Sequence, residues 1–355
     1  MLSRNNRMWG GSRRERAGRW LGLNVCLPVV VVFVVVYCMS IVRMSMSALM
    51  VNISEDKVKV VGDEGEVAVT SAHFNSALVS SSWLRNVRET DELQLLILDC
   101  NDPDVFHRGH IPQAIPFPLV SSLLKDQTPK ATGVISIDKF LDIVKLLQIP
   151  KGATIVLYDD KKSLSAARIW WVFRHYGYPV HRLKVLNGGL KQWLADGNEK
   201  ATGEAEVPDQ STELWDKAVD IHVLVGFDAV QRGIADPRTQ FVDARSPDEY
   251  SGKDADGNAR AGHVPGAVNF NWVDAIDVDR NGQFKSKAEL ESILVKLHLD
   301  KDRPVITYCQ RAIRGAHLAF TLEQVLGFKD VRVYENSMRQ YLNRGDSQVE
   351  TNVSM

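Results

Sequence analysis

The chain has 355 residues, 45% hydrophobic and 25% charged, with a formal net charge of −1. That is a globular composition with room for two cores, and its balanced charge excludes nucleic acid as a bulk electrostatic partner. Four cysteines without a Cys-x-x-Cys pair exclude a disulfide framework and a cysteine-based metal site; a reducing compartment is the easier home.

Residues 1–19 form a basic segment, in which six arginines face Glu15 as the sole acid. From Trp20 to Val42 no residue is charged, and the run is long enough to span a bilayer as a helix. Arginines before it and Arg43 alone close behind predict a cytoplasmic N-terminus, with the body on the far side. The same stretch also reads as a targeting segment. Initiation at Met44 or Met46 would omit it, so a single-pass anchor, a mitochondrial location and a cytoplasmic one all stay open. Residues 43–69 are acidic without strong periodicity and read as a linker.

The first domain is expected over residues 70–200. A helix runs from about Ser80 to Thr90, and Leu95–Asp99 is a buried strand followed by the loop Gly109-His-Ile-Pro112. A helix at Ile137–Leu147, a strand at Thr154–Tyr158, a helix at Ser165–Tyr176 and a strand at Leu183–Leu186 follow. Strands alternating with helices predict an α/β fold with a mostly parallel sheet flanked by helices. Residues 201–219 are polar and aperiodic, an interdomain linker.

The second domain, residues 220–349, repeats the first. Leu95–Asp99 returns as Gln240–Asp243, and Gly109-His-Ile-Pro112 as Gly262-His-Val-Pro265. Leu190-Lys-Gln-Trp-Leu194 returns as Met338-Arg-Gln-Tyr-Leu342, and Tyr158 to Gly177 is as long as Tyr308 to Gly327. Order and spacing kept together indicate a tandem duplication of about 130 residues.

The chemistry gathers after the strand Val305–Tyr308. Cys309 is followed by Gln310, Arg311, Ala312, Ile313 and Arg314, and then by the helical period Leu318, Leu322, Val325 and Leu326. Inward amides, a helix N-terminus and two arginines favour an anion, and such settings lower a free-thiol pKa from about 8.5 by roughly two units or more. The first repeat has Asp159 where the second has Cys309. A carboxylate there accepts no sulfur and repels an anionic substrate, so one half is expected to react and the other to supply a wall.

The region from about Val69 to Asp346 resembles a two-domain rhodanese, of the thiosulfate and 3-mercaptopyruvate sulfurtransferases. Ser82-Trp83-Leu84, Asp243-Ala-Arg245-Ser-Pro-Asp-Glu-Tyr250, Gly262-His-Val-Pro-Gly-Ala-Val268, Leu186-Asn-Gly-Gly-Leu-Lys-Gln-Trp193 and the Cys309 loop carry it. The resemblance implies tandem rhodanese-like domains, the second catalytic, and a persulfide on Cys309. A small anionic sulfur donor would load it, and cyanide, a thiol or a reduced protein would unload it. It implies no cofactor and no metal. Gln310, Arg311, Ala312, Ile313 and Arg314 would bind the persulfide and the donor, the arginines favouring thiosulfate over 3-mercaptopyruvate. Asp243 and Arg245 are either a pair orienting the loop or a structural salt bridge. Ala312 stands where many members have glycine, and Glu335-Asn-Ser-Met338 replaces the usual Asp-Gly-Ser-Trp.

Two rivals remain. Cell-cycle phosphatases share the fold but place one more residue between cysteine and arginine than the four enclosed by Cys309 and Arg314. A non-catalytic, membrane-tethered rhodanese-like binding protein is the other. His110 and His263 read as loop-shaping, the tryptophans as core, and Cys100 as inert.

Overall fold

The computed structural model describes residues 51–54, 57–62, 65–67, 76–90, 94–117, 133–205, 213–216, 221 and 223–352. The basic segment and the stretch from Trp20 to Val42 lie outside them. Among the described residues no helix is long and apolar enough to cross a membrane.

The segment read as a linker corrects that expectation. Strands β1 (Val51–Ser54), β2 (Lys57–Gly62) and β3 (Gly65–Val67) form an antiparallel meander, within a unit that ends at Thr70. The alternation Lys57-Val58-Lys59-Val60 is a period-2 pattern, and Gly62 pairs with Gly65 at the end of β2 and β3.

The second unit, from Ser71 onward, holds both repeats. The first contains β4 (Leu78–Val79), α1 (Ser81–Thr90), β5 (Leu95–Asp99), α2 (Pro103–Arg108), β6 (Ile115–Pro116) and α3 (Ile137–Leu146). It continues with β7 (Thr154–Tyr158), α4 (Leu164–His175), β8 (Leu183–Leu186) and α5 (Gly189–Ala195). The second contains β9 (Leu224–Val225), α6 (Phe227–Ala235), β10 (Gln240–Asp243), α7 (Pro247–Ser251), β11 (Val268–Asn269) and the short hairpin β12 (Ile276–Asp277) and β13 (Gln283–Phe284). It closes with α8 (Lys287–Leu297), β14 (Val305–Tyr308), α9 (Ile313–Phe320), β15 (Val331–Tyr334) and α10 (Ser337–Tyr341).

The two sheets have one topology. Strand order β4-β8-β7-β5-β6 matches β9-β15-β14-β10-β11, and every pair in both is parallel. Leu95 to Leu98 and Ile155 to Tyr158 are unbroken apolar runs because helices cover both faces of a parallel sheet. Tyr158 donates its position to the repeat as well: its hydroxyl accepts from the Ile111 amide at 3.0 Å, as that of Tyr308 accepts from Val264 at 3.2 Å.

The domains meet through α4 and α9, the helices that follow the two equivalent loops. Trp170 packs edge-on against Phe320 with ring centroids 5.2 Å apart, and Arg174 pairs with Glu323. One hydrophobic cluster runs through the contact, from Phe140 and Trp171 to Phe320, Ala312 and Cys309. The polar stretch after Ala201 is not a loose tether where it is described: Trp215 is buried against Phe140 and Tyr178, and Lys151 pairs with Glu213.

Candidate active site

Strand β14 ends at Tyr308 and delivers Cys309, which is buried, at the C-terminal edge of the second sheet. The turn is tighter than the sequence suggests. Helix α9 begins at Ile313, so Ile313, Arg314 and Gly315 already form its first turn, with amides that have no carbonyl one turn back. Gly315 allows this turn to press on the strand, since a Cβ there would lie 3.1 Å from Tyr308 backbone atoms. In the first domain α4 begins one residue later relative to Asp159. The extra helical residue of the second domain is absorbed in a π turn, Thr321–Val325, which restores the common length to Gly327.

Ala312 sits at φ 61°, in the left-handed region. This is the conformation that makes glycine the easier residue there, and Lys162 adopts it in the twin loop at φ 61°.

The start of α10, just after β15, supplies the other side. The Ser337 hydroxyl accepts from the amides of Cys309 (3.3 Å) and Ala312 (3.1 Å) and donates to the Tyr334 carbonyl (2.8 Å). The amides of Met338 and Arg339 bond the carbonyls of Cys309 (2.9 Å) and Gln310 (3.1 Å). Met338 is packed with Ile306, Tyr334 and Tyr341 in the core, so it replaces no wall of the site. Ser337 matches Gly189, where a Cβ would fall 2.0 Å from the Asp159 carbonyl.

The side chains of the loop take different partners. Gln310 bonds the Asp256 carbonyl (3.0 Å) and Asn258 (3.1 Å). Arg314 makes a two-point ion pair with Glu249, at 2.6 and 2.8 Å. Burial alone would raise the Glu249 carboxyl, but the Arg314 hydrogen bonds and charge hold it at about 2. Arg311 is half-buried and has no hydrogen-bond or ion-pair partner among the described residues. Asp243 and Arg245 form a fully buried pair, with Nη2 2.7 Å from both Oδ2 and the Gly262 carbonyl. That pair fastens the end of β10 to the Gly262 loop, and β10 lies beside β14 with Asp243 opposite Tyr308.

The first domain shows how such a loop treats an anion. Asp159 Oδ1 accepts from the amides of Lys161 (2.7 Å) and Ser163 (2.9 Å), and Oδ2 from Ala166 (2.8 Å). Burial nonetheless pushes its pKa up to about 6. His317 ties this loop to α9: its Nε2 donates to the Lys162 carbonyl at 3.1 Å, its ring stacks on Phe284, and burial drives its pKa down to about 3. His110 and His263 bond backbone carbonyls and stack on Phe106 and Tyr250. The Cys100 thiol is kept protonated by burial and by the charges of Asp159 and Asp99.

A family model, the Rhodanese-like domain, matches residues 80–196 and 227–344. The chain belongs to the rhodanese family of sulfurtransferases. This rhodanese is 32% identical over 282 residues to the sulfur carrier protein TtuD of Thermus thermophilus, covering 75% of this chain and 93% of the relative. It is 30% identical over 282 residues to a thiosulfate sulfurtransferase of Corynebacterium glutamicum, covering 77% and 90%. Its fold is shared by SseA, a 3-mercaptopyruvate sulfurtransferase of Escherichia coli, with TM-score 0.63, 23% identity and coverage of 74% and 98%. It is shared too by an anaerobic ergothioneine biosynthesis enzyme of Chlorobium limicola, with TM-score 0.67, 19% identity and coverage of 82% and 74%.

Sequence reasoning named the loop but missed Glu249, and it left Ser337 and Arg168 without roles. Glu249 carried only a helix-cap signal, Ser246-Pro-Asp-Glu249, which the structure realises as a capping box. Arg168 carried none: it lies inside α4 and is fully buried.

Proposed function

We propose that this rhodanese transfers a sulfane sulfur from thiosulfate through a persulfide on Cys309. The observation that carries the reading is the placement of Cys309, after the central strand and against the first turn of α9, in a loop whose twin gathers three amides on a carboxylate. Cys309 thiolate attacks the outer sulfur of thiosulfate. A bond forms between the two sulfurs, and the bond to the sulfonate sulfur breaks with its electron pair leaving on sulfite. An acceptor nucleophile then takes the terminal sulfur, and the Cys309 thiolate returns. Gln310, Ala312, Ile313 and Arg314 contribute loop and helix-start backbone around that sulfur, and the loop amides stabilise the persulfide anion.

Arg311, without a partner among the described residues, is the arginine available to a dianionic donor, whereas Arg314 is engaged by Glu249. This supports thiosulfate over 3-mercaptopyruvate. Likeness to a protein named as a sulfur carrier supports a thiol or reduced protein as acceptor, with cyanide the convenient laboratory one. The buried Asp243–Arg245 pair supports a positioning role for both residues.

The test is thiocyanate formation from cyanide with each donor, in the wild type, Cys309→Ser and Arg311→Ala. The serine variant should be inactive, and Arg311→Ala should weaken thiosulfate use more than mercaptopyruvate use. Undiminished activity in Cys309→Ser removes it as the nucleophile, and equal losses with both donors remove the donor role of Arg311.

A further inference from the structure

Arg168 is fully buried, and all three nitrogens of its guanidinium lack a hydrogen-bond partner among the described residues. An arginine stays charged, and a buried charge without hydrogen bonds is costly enough that native proteins keep one for a reason. Its position gives the reason. Arg168 follows the start of α4 at Leu164 by the same step as His317 follows the start of α9 at Ile313. His317 reaches across the domain contact to the Asp159 loop, at the Lys162 carbonyl. The duplicated fold therefore aims Arg168 across the same contact at the Cys309 loop; burial lowers the Arg168 pKa, and the charges of Glu335 and Cys309 act to raise it.

We propose that Arg168, supplied by the non-catalytic domain, is a positioning residue whose charge holds the Cys309 sulfur as an anion, first as thiolate and then as persulfide. This rests on the persulfide reading above. The other charged groups around the loop are arranged so that the contribution of Arg168 is not cancelled. Asp243 is paired with Arg245, and Glu249 with Arg314. Arg311 adds charge from the loop itself, and the Tyr176 hydroxyl is the further titratable group that acts on Arg168. Glu335, placed after β15 and accepting from the Val134 amide, is the carboxylate that opposes the effect.

The experiment follows alkylation of Cys309 by iodoacetamide against pH in the full chain, read on the Cys309 peptide by mass spectrometry so that other cysteines do not contribute. Arg168→Gln should move the midpoint up by about one pH unit and slow alkylation at neutral pH about tenfold. Arg168→Lys should recover most of that loss. Glu335→Gln, which keeps an oxygen for the Val134 amide, should move the midpoint down. A structural role alone would lower stability without moving these midpoints, so unmoved midpoints in Arg168→Gln and Glu335→Gln overturn the proposal. Should Arg168→Gln fail to fold, the direction of the Glu335→Gln shift decides. Wild-type protein that shows the alkylation profile but takes no sulfur from any donor refutes the persulfide reading instead.

Discussion

Glu249 holds Arg314 at two points, with Oε2 2.6 Å from Nη1 and Oε1 2.8 Å from Nη2. The same carboxylate closes the capping box of α7, so one ion ties the helix after β10 to the first turn of α9. Two-point arginine–carboxylate geometry fixes orientation as well as distance.

A pH dependence follows from this pair. The Glu249 pKa is about 2 in the folded protein, below the value of about 4.3 for a free glutamate. A depressed carboxyl stabilises the fold above its unfolded pKa and loses that contribution as pH falls toward 2. Glu249→Gln should therefore cost about 2–3 kcal/mol at neutral pH and almost nothing near the folded pKa, measured by denaturant unfolding across pH.

Asp159 should act with the opposite sign. Its folded pKa of about 6 lies above that of a free aspartate, because burial outweighs its three amide donors. Stability from this group is full below the unfolded pKa and is lost as pH rises through 6, a change of about 2–3 kcal/mol. In Asp159→Asn that slope between about pH 4 and 6 should disappear.

Ser337→Ala would leave the buried amides of Cys309 and Ala312 without their acceptor. The expected loss is about 1–3 kcal/mol of stability, with slower sulfur loading because the loop loses its clamp to β15. Rapid-quench measurement of loading and a thermal melt separate the two effects. Unchanged loading would show that the hydroxyl only stabilises.

Ala312→Gly should raise stability by about 0.5–1 kcal/mol, because glycine adopts φ 61° without the Cβ cost. Ala312→Val should lower it, a branched side chain being worse in that region and the site fully buried. Both appear as shifts of the thermal midpoint.

Much of this fold was legible because a duplication writes each signal twice. The parallel strands announced themselves as apolar runs, and Tyr158 and Tyr308 marked equivalent ends, down to a shared hydroxyl bond with the following loop. Ala312 was legible as a residue in a glycine position. What the sequence hid was pairing at a distance. Glu249 meets Arg314 across 65 positions and Lys162 meets His317 across 155, and neither charge pattern nor periodicity links such residues. The early meander was hidden differently, because its acidic residues masked a short period-2 alternation.

The most direct test is mass spectrometry of the Cys309 peptide after the protein is mixed with thiosulfate in the absence of an acceptor. One added sulfur atom on Cys309, removed by cyanide and absent from Cys309→Ser, is the predicted result. A Cys309 peptide that stays unmodified with thiosulfate and with 3-mercaptopyruvate would contradict it.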